Sequence, residues 1–189
     1  FGNENIDWQD EIERTNAGTH QYNVAIRGGS NSTIYSVSFH GSNKEGIYKN
    51  DNLNTYGGRL SLETDLTKGI KIGTNASYSE SKRNFSLSDE FYWYTQPFVV
   101  RPDLPIKNSA GDYNKIDEIG MRGGNGLYSP NPVAMLNMKN SHESSQLLAN
   151  AYAEFSIYKG LKFRADYGHT NYKYESSYFR PIITQQDQS

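Results

Sequence analysis

The stretch His20–Gly41, which reads HQYNVAIRGGSNSTIYSVSFHG, alternates apolar and polar residues on both sides of a Gly-Gly-Ser-Asn-Ser break. An apolar residue at every second position is the period of a β-strand with one covered face, because successive side chains of a strand point to opposite sides. The apolar positions are Tyr22, Val24, Ile26, Tyr35, Val37 and Phe39. The stretch therefore predicts a β-hairpin, and what covers its apolar face decides the fold.

Alternation of this kind occurs in six runs along the 189 residues. The runs are His20–Gly28, Thr33–Gly41, Thr55–Leu66, Ile70–Arg83, Ser145–Tyr158 and Leu161–Tyr174. Charged side chains occupy the opposite faces, and the cores of the apolar faces carry none. One short segment has helical spacing instead, since Trp8 and Ile12 lie four residues apart and Asp7 precedes them as a candidate helix cap. The sequence thus predicts six strands and one helical turn.

Tight and long connections alternate strictly between these runs. Gly29–Ser32, Thr67–Gly69 and Lys159–Gly160 are tight, whereas Asn43–Asn54 and Asn84–His142 are long. This order predicts an all-β fold, an antiparallel up-and-down sheet of about six strands with short turns at one rim and long loops at the other. Outer-membrane barrels have this asymmetry, and runs of about 10 residues are long enough for a tilted strand to cross a bilayer. The alternative is a soluble β-sandwich, in which a second sheet covers the apolar face.

Composition narrows the class of protein further. A mean hydropathy of −0.80 and the lack of long apolar runs predict neither a transmembrane helix nor a signal-peptide core. A net charge of −2 without a basic patch gives no reason to expect a nucleic-acid partner, and the absence of cysteine excludes disulfides and thiolate metal sites. The chain begins at Phe1 and ends in a polar tail, Gln185–Ser189. We therefore expect a piece of a longer polypeptide, with any export signal outside it.

Short motifs follow one another in a fixed order along most of the chain. They are Asp7–Ile12 (DWQDEI), Arg14–Thr15, His20–Gly29 (HQYNVAIRGG), Tyr35–Phe39, Glu45–Ile47 (EGI), Tyr56, Arg59–Leu62, Asn131–Ala134, Leu148–Tyr152 (LANAY) and Lys159–Phe163 (KGLKF). Each motif alone is weak, but the ordered series resembles the early barrel region of SusC/RagA-type TonB-dependent outer-membrane transporters of the Bacteroidetes.

That resemblance implies a segment of a 22-stranded outer-membrane β-barrel whose lumen holds an N-terminal plug, with the six runs as strands two to seven. Plug, TonB-box segment and N-terminal extension would all lie outside these residues. In this interpretation the chain divides into residues 1–19, part of the first extracellular loop with a short helical turn; 20–83, four barrel strands with tight periplasmic turns; 84–142, a long extracellular loop; 143–174, two barrel strands; and 175–189, a truncated extracellular loop. Six strands cannot close such a barrel, so we expect the isolated chain to aggregate or to require detergent.

The function that the resemblance implies is import of oligosaccharides or peptides across the bacterial outer membrane, driven through TonB and without bond chemistry or a cofactor. A SusD-like surface lipoprotein would act as an extracellular lid, and TonB would be reached through the missing N-terminal part. The lipid bilayer would contact the apolar face. A secreted β-sandwich that binds glycans through its tyrosines and tryptophans is the alternative function.

Two sets of side chains are candidates for contact with other molecules. The first set lies in the long loop, where aromatic rings would touch the substrate or the lid, unless they pack the loop onto the barrel mouth or sit in the aromatic girdle: Phe91, Tyr92, Trp93, Tyr94 and Tyr113. The second set lies on the polar faces, where charges would pair with each other, contact the plug or line the solute path: Arg27, Arg59, Glu63, Asp65, Lys71, Arg164 and Asp166.

Signatures of enzymes and metal sites are missing. The four histidines fall in different segments and form no metal-spaced pair. The glycine-rich stretch Met121–Gly126 lacks the Gly-Lys-Ser/Thr of a phosphate loop. Adjacent carboxylates, Asp89–Glu90 and Asp117–Glu118, do not establish the spatial separation that a hydrolase needs. We therefore predict no catalytic residue and no metal ligand.

Overall fold

The computed structural model describes residues 4–85, 100–114 and 131–181. Six antiparallel strands form one sheet in chain order. The strands are β1 Thr19–Gly29, β2 Thr33–Glu45, β3 Asn52–Thr67, β4 Ile70–Phe85, β5 Lys139–Tyr158 and β6 Leu161–Phe179. The helices are α1 Trp8–Ile12, before the sheet, and α2 Pro132–Met135, which precedes β5. The predicted all-β, up-and-down antiparallel sheet of six strands is confirmed.

Helix α1 is held at both ends by side chains that bind its free backbone groups. The carboxylate of Asp7 accepts hydrogen bonds from the backbone nitrogens of Gln9 and Asp10, at 3.0 and 3.4 Å, which confirms Asp7 as the helix cap. At the other end, Lys49 Nζ donates to the carbonyls of Asp10 and Glu11, both at 2.8 Å. Neither this helix nor any other among the described residues is long and apolar enough to span a membrane.

The two tight turns after β3 and β5 share one design. Gly69 and Gly160 adopt φ angles of +97° and +85°, a left-handed conformation that glycine reaches without steric cost. The register shifts just before each turn, between Asp65 and Thr67 and again before Leu161. A β-bulge of this kind increases the local twist, so both hairpins close with the same geometry at one rim of the sheet.

The two faces of the sheet differ in polarity because register brings like residues into line. One row is apolar from β1 to β5, with Ile26, Val37, Leu60, Ala76 and Ala149, and ends at His169 on β6. The next row is polar: Arg27, Ser36, Ser61, Asn75 and Asn150. Within the described residues no second layer covers the apolar face, whose side chains remain exposed or partly exposed. The β-sandwich alternative requires such a layer.

The strands extend beyond the alternating runs at the loop rim. On β5 the apolar positions from Leu147 to Ile157 rise about 33 Å along the strand at about 3.3 Å per residue, or about 25 Å vertically at a tilt of about 40°. That height matches the apolar band of outer-membrane barrels. Above it the same face becomes charged, at Glu80, Lys82, Glu143, Lys173 and Glu175. Apolar and charged zones thus follow one another along one face, the order expected of strands that project past a bilayer.

The tightest packing lies in the loops and not in the sheet. Trp8 from α1 packs with Val100 and Leu104, and the three side chains are only 3–5% exposed. Ile12, Ala134 and Met135 are fully buried nearby. We call this unit of α1, residues 100–114 and α2 the loop cap. It places a compact core at the rim opposite the tight turns.

Candidate functional site

All seven charged residues predicted to face a lumen lie on the polar face of the sheet. The register sets this arrangement. Arg27 is opposite Ser36, which is opposite Ser61 on β3. Arg59, Glu63 and Asp65 stand at every second position of β3 from Ser61 and therefore point to the same side. Lys71 aligns with Asp65, and register through β5 brings Arg164 and Asp166 to the same side. The seven side chains share a face because side chains along a strand alternate between its two sides. What these side chains meet in the whole protein stays a prediction.

Most of these charges pair with each other near the tight turns. Lys71 Nζ lies 2.8 Å from Glu63 Oε1 and 4.0 Å from Asp65 Oδ1. Arg164 binds Asp166 through its Nη2 at 2.8 Å, and Nε also donates to that carboxylate. We call this group, together with Tyr152 and the Lys162–Glu154 pair, the turn-end charge cluster. Its charged side chains are partly exposed, so water screens each ion pair and its contribution to stability is small.

Tyr152 joins the separate ion pairs of the cluster into one network. Its hydroxyl donates to Glu63 Oε2 at 2.5 Å, across an intervening strand. The guanidinium of Arg164 lies 3.8 Å from the centre of the same ring, within cation–π range. Lys71 occupies the other oxygen of Glu63. Both carboxylate oxygens of Glu63 therefore have hydrogen-bond donors within this sheet.

Arg27 and Arg59 differ from the other five charged residues. Within the part of the chain that the structure describes, neither guanidinium has an ion-pair or hydrogen-bond partner. Both are exposed, and both line a concavity of about 780 Å³ on the polar face. Arg59 also borders a second concavity of about 470 Å³ that continues over β4, β5 and β6. We call the two together the central trough.

Backbone carbonyls and polar side chains bind the loop cap together. Trp8 Nε1 donates to the carbonyl of Arg101 at 3.0 Å. Arg14 Nη1 donates to three carbonyls of the β2–β3 loop, those of Gly46, Tyr48 and Asp51, at 2.7–2.9 Å. One guanidinium therefore holds the conformation of a whole loop beside the cap.

The buried Asn131 fastens α2 to residues 100–114. Its Nδ2 donates to the carbonyls of Ile106 and Asn114, at 2.9 and 3.2 Å, while its Oδ1 accepts from Val133 and Ala134 at the start of α2. An asparagine can do both because it carries a donor and an acceptor on one group. The NPVA motif is thus a structural joint of the cap.

Of the predicted loop aromatics, only Tyr113 lies within the described residues. Its ring contacts Lys107 Nζ at 5.0 Å from the centroid, and its hydroxyl accepts from Asn137 Nδ2 at 3.3 Å. The run Phe91, Tyr92, Trp93 and Tyr94 lies outside the described residues. Contact of this set with a substrate or a lid stays a prediction.

Sequence reasoning missed three residues that organise these regions: Tyr152, Arg14 and Asn131. Arg14 and Asn131 stood inside recognised motifs, but nothing local showed which carbonyls they would meet. Tyr152 carried one usable signal, because a lone tyrosine on the polar side of an Ala-rich strand has a hydroxyl that needs a partner.

Comparison with known proteins gives a consistent set of relatives. The chain is 26% identical over 187 residues to TonB-dependent receptor P3 of Formosa agariphila, covering 95% of the chain and 18% of the relative. It is 25% identical over 160 residues to TonB-dependent receptor SusC of Bacteroides thetaiotaomicron, covering 77% and 16%. A solved structure of the RagAB peptide importer in its closed-closed state matches with a TM-score of 0.66 and 25% identity, over 97% of the chain and 21% of that structure. No family model matches.

The chain is similar to a segment of the SusC/RagA-type TonB-dependent receptors. It spans about a fifth of the length of these relatives. SusC and RagA are outer-membrane proteins, which gives this SusC/RagA-like chain the same location. All three relatives are named as receptors or importers and none as an enzyme. The bare apolar face of the sheet, described above, is the surface that a membrane location requires.

Proposed function

We propose that this chain forms part of the wall of an outer-membrane transporter that imports a nutrient with energy delivered through TonB. The observation that carries the proposal is the two-faced single sheet: one face presents an apolar band of bilayer height, and the other presents charged, hydroxyl and amide groups. Import needs selective binding and passage, with no bond chemistry. The names of the relatives support this function for the whole protein.

In the proposed orientation the tight turns lie in the periplasm and the loop cap lies outside the cell. A SusD-like lipoprotein would close over the extracellular mouth, and the loop aromatics, Tyr113 among them, would meet it or the solute. The loop cap supports this role because its buried core and many carbonyl contacts make a rigid rim. The solute would be an oligosaccharide or a peptide, and the relative RagAB is named for peptides.

Cysteine labelling tests the orientation of the two faces in the full-length parent protein. These 189 residues contain no cysteine, and any cysteine elsewhere in the parent is first replaced by serine, so that each single substitution is the only reactive thiol. Ser61→Cys faces the polar side and should react with a membrane-impermeant maleimide in detergent-solubilised barrel and in proteoliposomes. Its neighbour Leu62→Cys should not react with the maleimide in proteoliposomes or in intact outer membranes, because acyl chains cover it. Equal labelling of both positions in membranes, or a soluble parent that needs no detergent, would overturn the assignment.

Uptake in cells tests the import itself. Cells that express the parent protein should accumulate either a fluorescent peptide mixture or a fluorescent oligosaccharide mixture, and competition by the unlabelled mixtures identifies the class. Removal of TonB should abolish the accumulation while leaving the amount of folded receptor unchanged. Accumulation that persists without TonB contradicts the proposal.

A further inference from the structure

The seven charged residues predicted to face a lumen form two groups: five are in ion pairs with one another, and two are available to bind another molecule. Glu63, Asp65 and Lys71 bind one another, and Arg164 binds Asp166. A solute or protein segment that approached these groups would have to displace an existing partner. Arg27 and Arg59 have no such partner among the described residues, so their donors are available.

The two arginines are placed to act on one bound group. Arg27 lies on β1 and Arg59 on β3, with Ser36 and Ser38 of β2 directly between them in the register. Two strand spacings of about 4.8 Å and an offset of two residues put their Cα atoms about 12 Å apart. Arginine side chains are long enough for both guanidinium groups to reach a group held over β2.

The surroundings of the pair favour an anion. Around the two arginines, the first concavity of the trough is lined on the polar face by the hydroxyl and amide side chains of Ser36, Ser38, Ser61 and Asn75 and by the apolar Ala25 and Ile34, with no carboxylate among its lining residues. Serine hydroxyls and the asparagine amide can each donate a hydrogen bond. Two positive charges among neutral donors, without a resident counter-charge, make a receptor for negative charge.

We propose that Arg27 and Arg59 form a carboxylate-binding site over β2 on the polar face, an inference that rests on the proposed function. The guanidinium fork matches a carboxylate with two parallel hydrogen bonds. Peptides carry such a group at their C-terminus, acidic sugars carry it on the ring, and another part of the parent polypeptide carries it on Asp or Glu. The shared chemistry is the carboxylate, and the two sources, solute or protein, are separated by experiment.

The first arm measures solute recognition with a defined probe. Isothermal titration of the purified full-length receptor compares an alanine hexapeptide that has a free C-terminal carboxylate with the same peptide as its amide. For a solute site, the wild type should bind the acid about tenfold more tightly than the amide. Arg27→Gln with Arg59→Gln should remove that preference. Lys162→Gln, which also removes one positive charge from the polar face, should retain it.

The second arm measures stability without any solute. If a carboxylate of the parent polypeptide occupies the site, the arginine pair variant should lower the urea midpoint more than Lys162→Gln does. A pair of lysine variants, Arg27→Lys with Arg59→Lys, keeps the charge and loses the bidentate geometry, so it reports on the site even where the glutamine pair does not fold. In either arm the lysine pair should give an intermediate effect.

The two arms together show whether the carboxylate comes from the solute, from the protein or from neither. Lost preference for the acid assigns the site to the solute, and a selective loss of stability assigns it to the protein. No acid preference together with a stability loss equal to that of Lys162→Gln overturns the proposal. Failure of the import function would show separately, as TonB-independent uptake, and would leave the stability arm readable.

Discussion

The ring of Tyr152 on β5 lies directly over Gly73 on β4, its partner in the register. A Cβ atom at residue 73 would lie 2.3 Å from Cε1 of that ring, closer than real Cβ atoms approach other heavy atoms. The glycine therefore lets the tyrosine lie flat along the sheet, and only from there does the hydroxyl reach Glu63 at 2.5 Å. The missing side chain on β4 thus allows a hydrogen bond between the two strands on either side of it.

Tyrosine over glycine is a repeated device in this sheet. Tyr22 covers Gly41, and Tyr35 covers Gly28, and in both cases the two residues are directly paired. An aromatic ring that covers a cross-strand glycine shields backbone and pins the register, which would otherwise be weak at a residue without a side chain. The high tyrosine and glycine content of the chain, 15 and 17 residues, follows in part from this pairing.

We expect Gly73→Ala to destabilise the receptor by about 1–3 kcal/mol, because the new methyl group displaces the Tyr152 ring and overpacks the site. The measurement is urea unfolding of the full-length receptor in lipid vesicles, followed by tryptophan fluorescence. Gly168→Ala is the matched control. Gly168 is on the same face of the sheet as Gly73, but a Cβ atom there would meet nothing within 4 Å. Equal free energies of unfolding for the two variants would contradict the account of the pair.

We expect Trp8→Ala to open the loop cap, because it removes a side chain only 3% exposed together with its hydrogen bond to Arg101. The cost to the cap is about 3–5 kcal/mol. Limited proteolysis should then cleave residues 100–114 in the variant faster than in the wild type, with the transmembrane strands intact. Trp8→Phe keeps most of the packing and loses the donor, so its cleavage rate should fall between the two. Unchanged cleavage in Trp8→Ala would show that the cap is not held by this core.

We expect Leu60→Arg to lower the free energy of unfolding in lipid by about 2–4 kcal/mol, as charge on the lipid face of a barrel does near the bilayer midplane. Ser61→Arg, one residue along β3, places the same charge on the polar face and should change stability by no more than about 0.5 kcal/mol. The readout is the fraction of heat-resistant folded receptor on a gel after refolding into vesicles. A larger loss for Ser61→Arg would reverse the assignment of the faces.

Strand number and direction were predictable because each strand carries its own period. The alternation in His20–Gly41 and in the later runs depends only on which side chain points to which face. The ends of the strands were not predictable. Strand β5 begins at Lys139, whereas alternation begins at Ser145. Above the apolar band water faces both sides of the sheet, so hydrogen bonding continues where no apolar pattern is required.

The candidate site was predictable as a face and not as a set of contacts. The alternation along each strand is enough to place Arg27, Arg59 and Lys71 on one side of the sheet. It could not show that Lys71 is paired while the two arginines have no partner among the described residues, since pairing depends on which residues of neighbouring strands come opposite each other. Register is set between strands, by the tyrosine–glycine pairs and the bulges at the turns.

By itself the sequence determined the elements of this protein: the polar and apolar faces of six strands, the positions of the tight turns, and the Asp7-capped helix, all of which rest on neighbours a few residues apart. Tertiary structure decided which distant residues meet: the loop cap built on Trp8, the joint at Asn131 and the Tyr152 network, and it left Arg27 and Arg59 without a partner within the part of the chain that the structure describes. Local periodicity encodes direction but not distance, and contacts across 80 or more residues, such as that of Glu63 with Tyr152, exist only once the strands are in register.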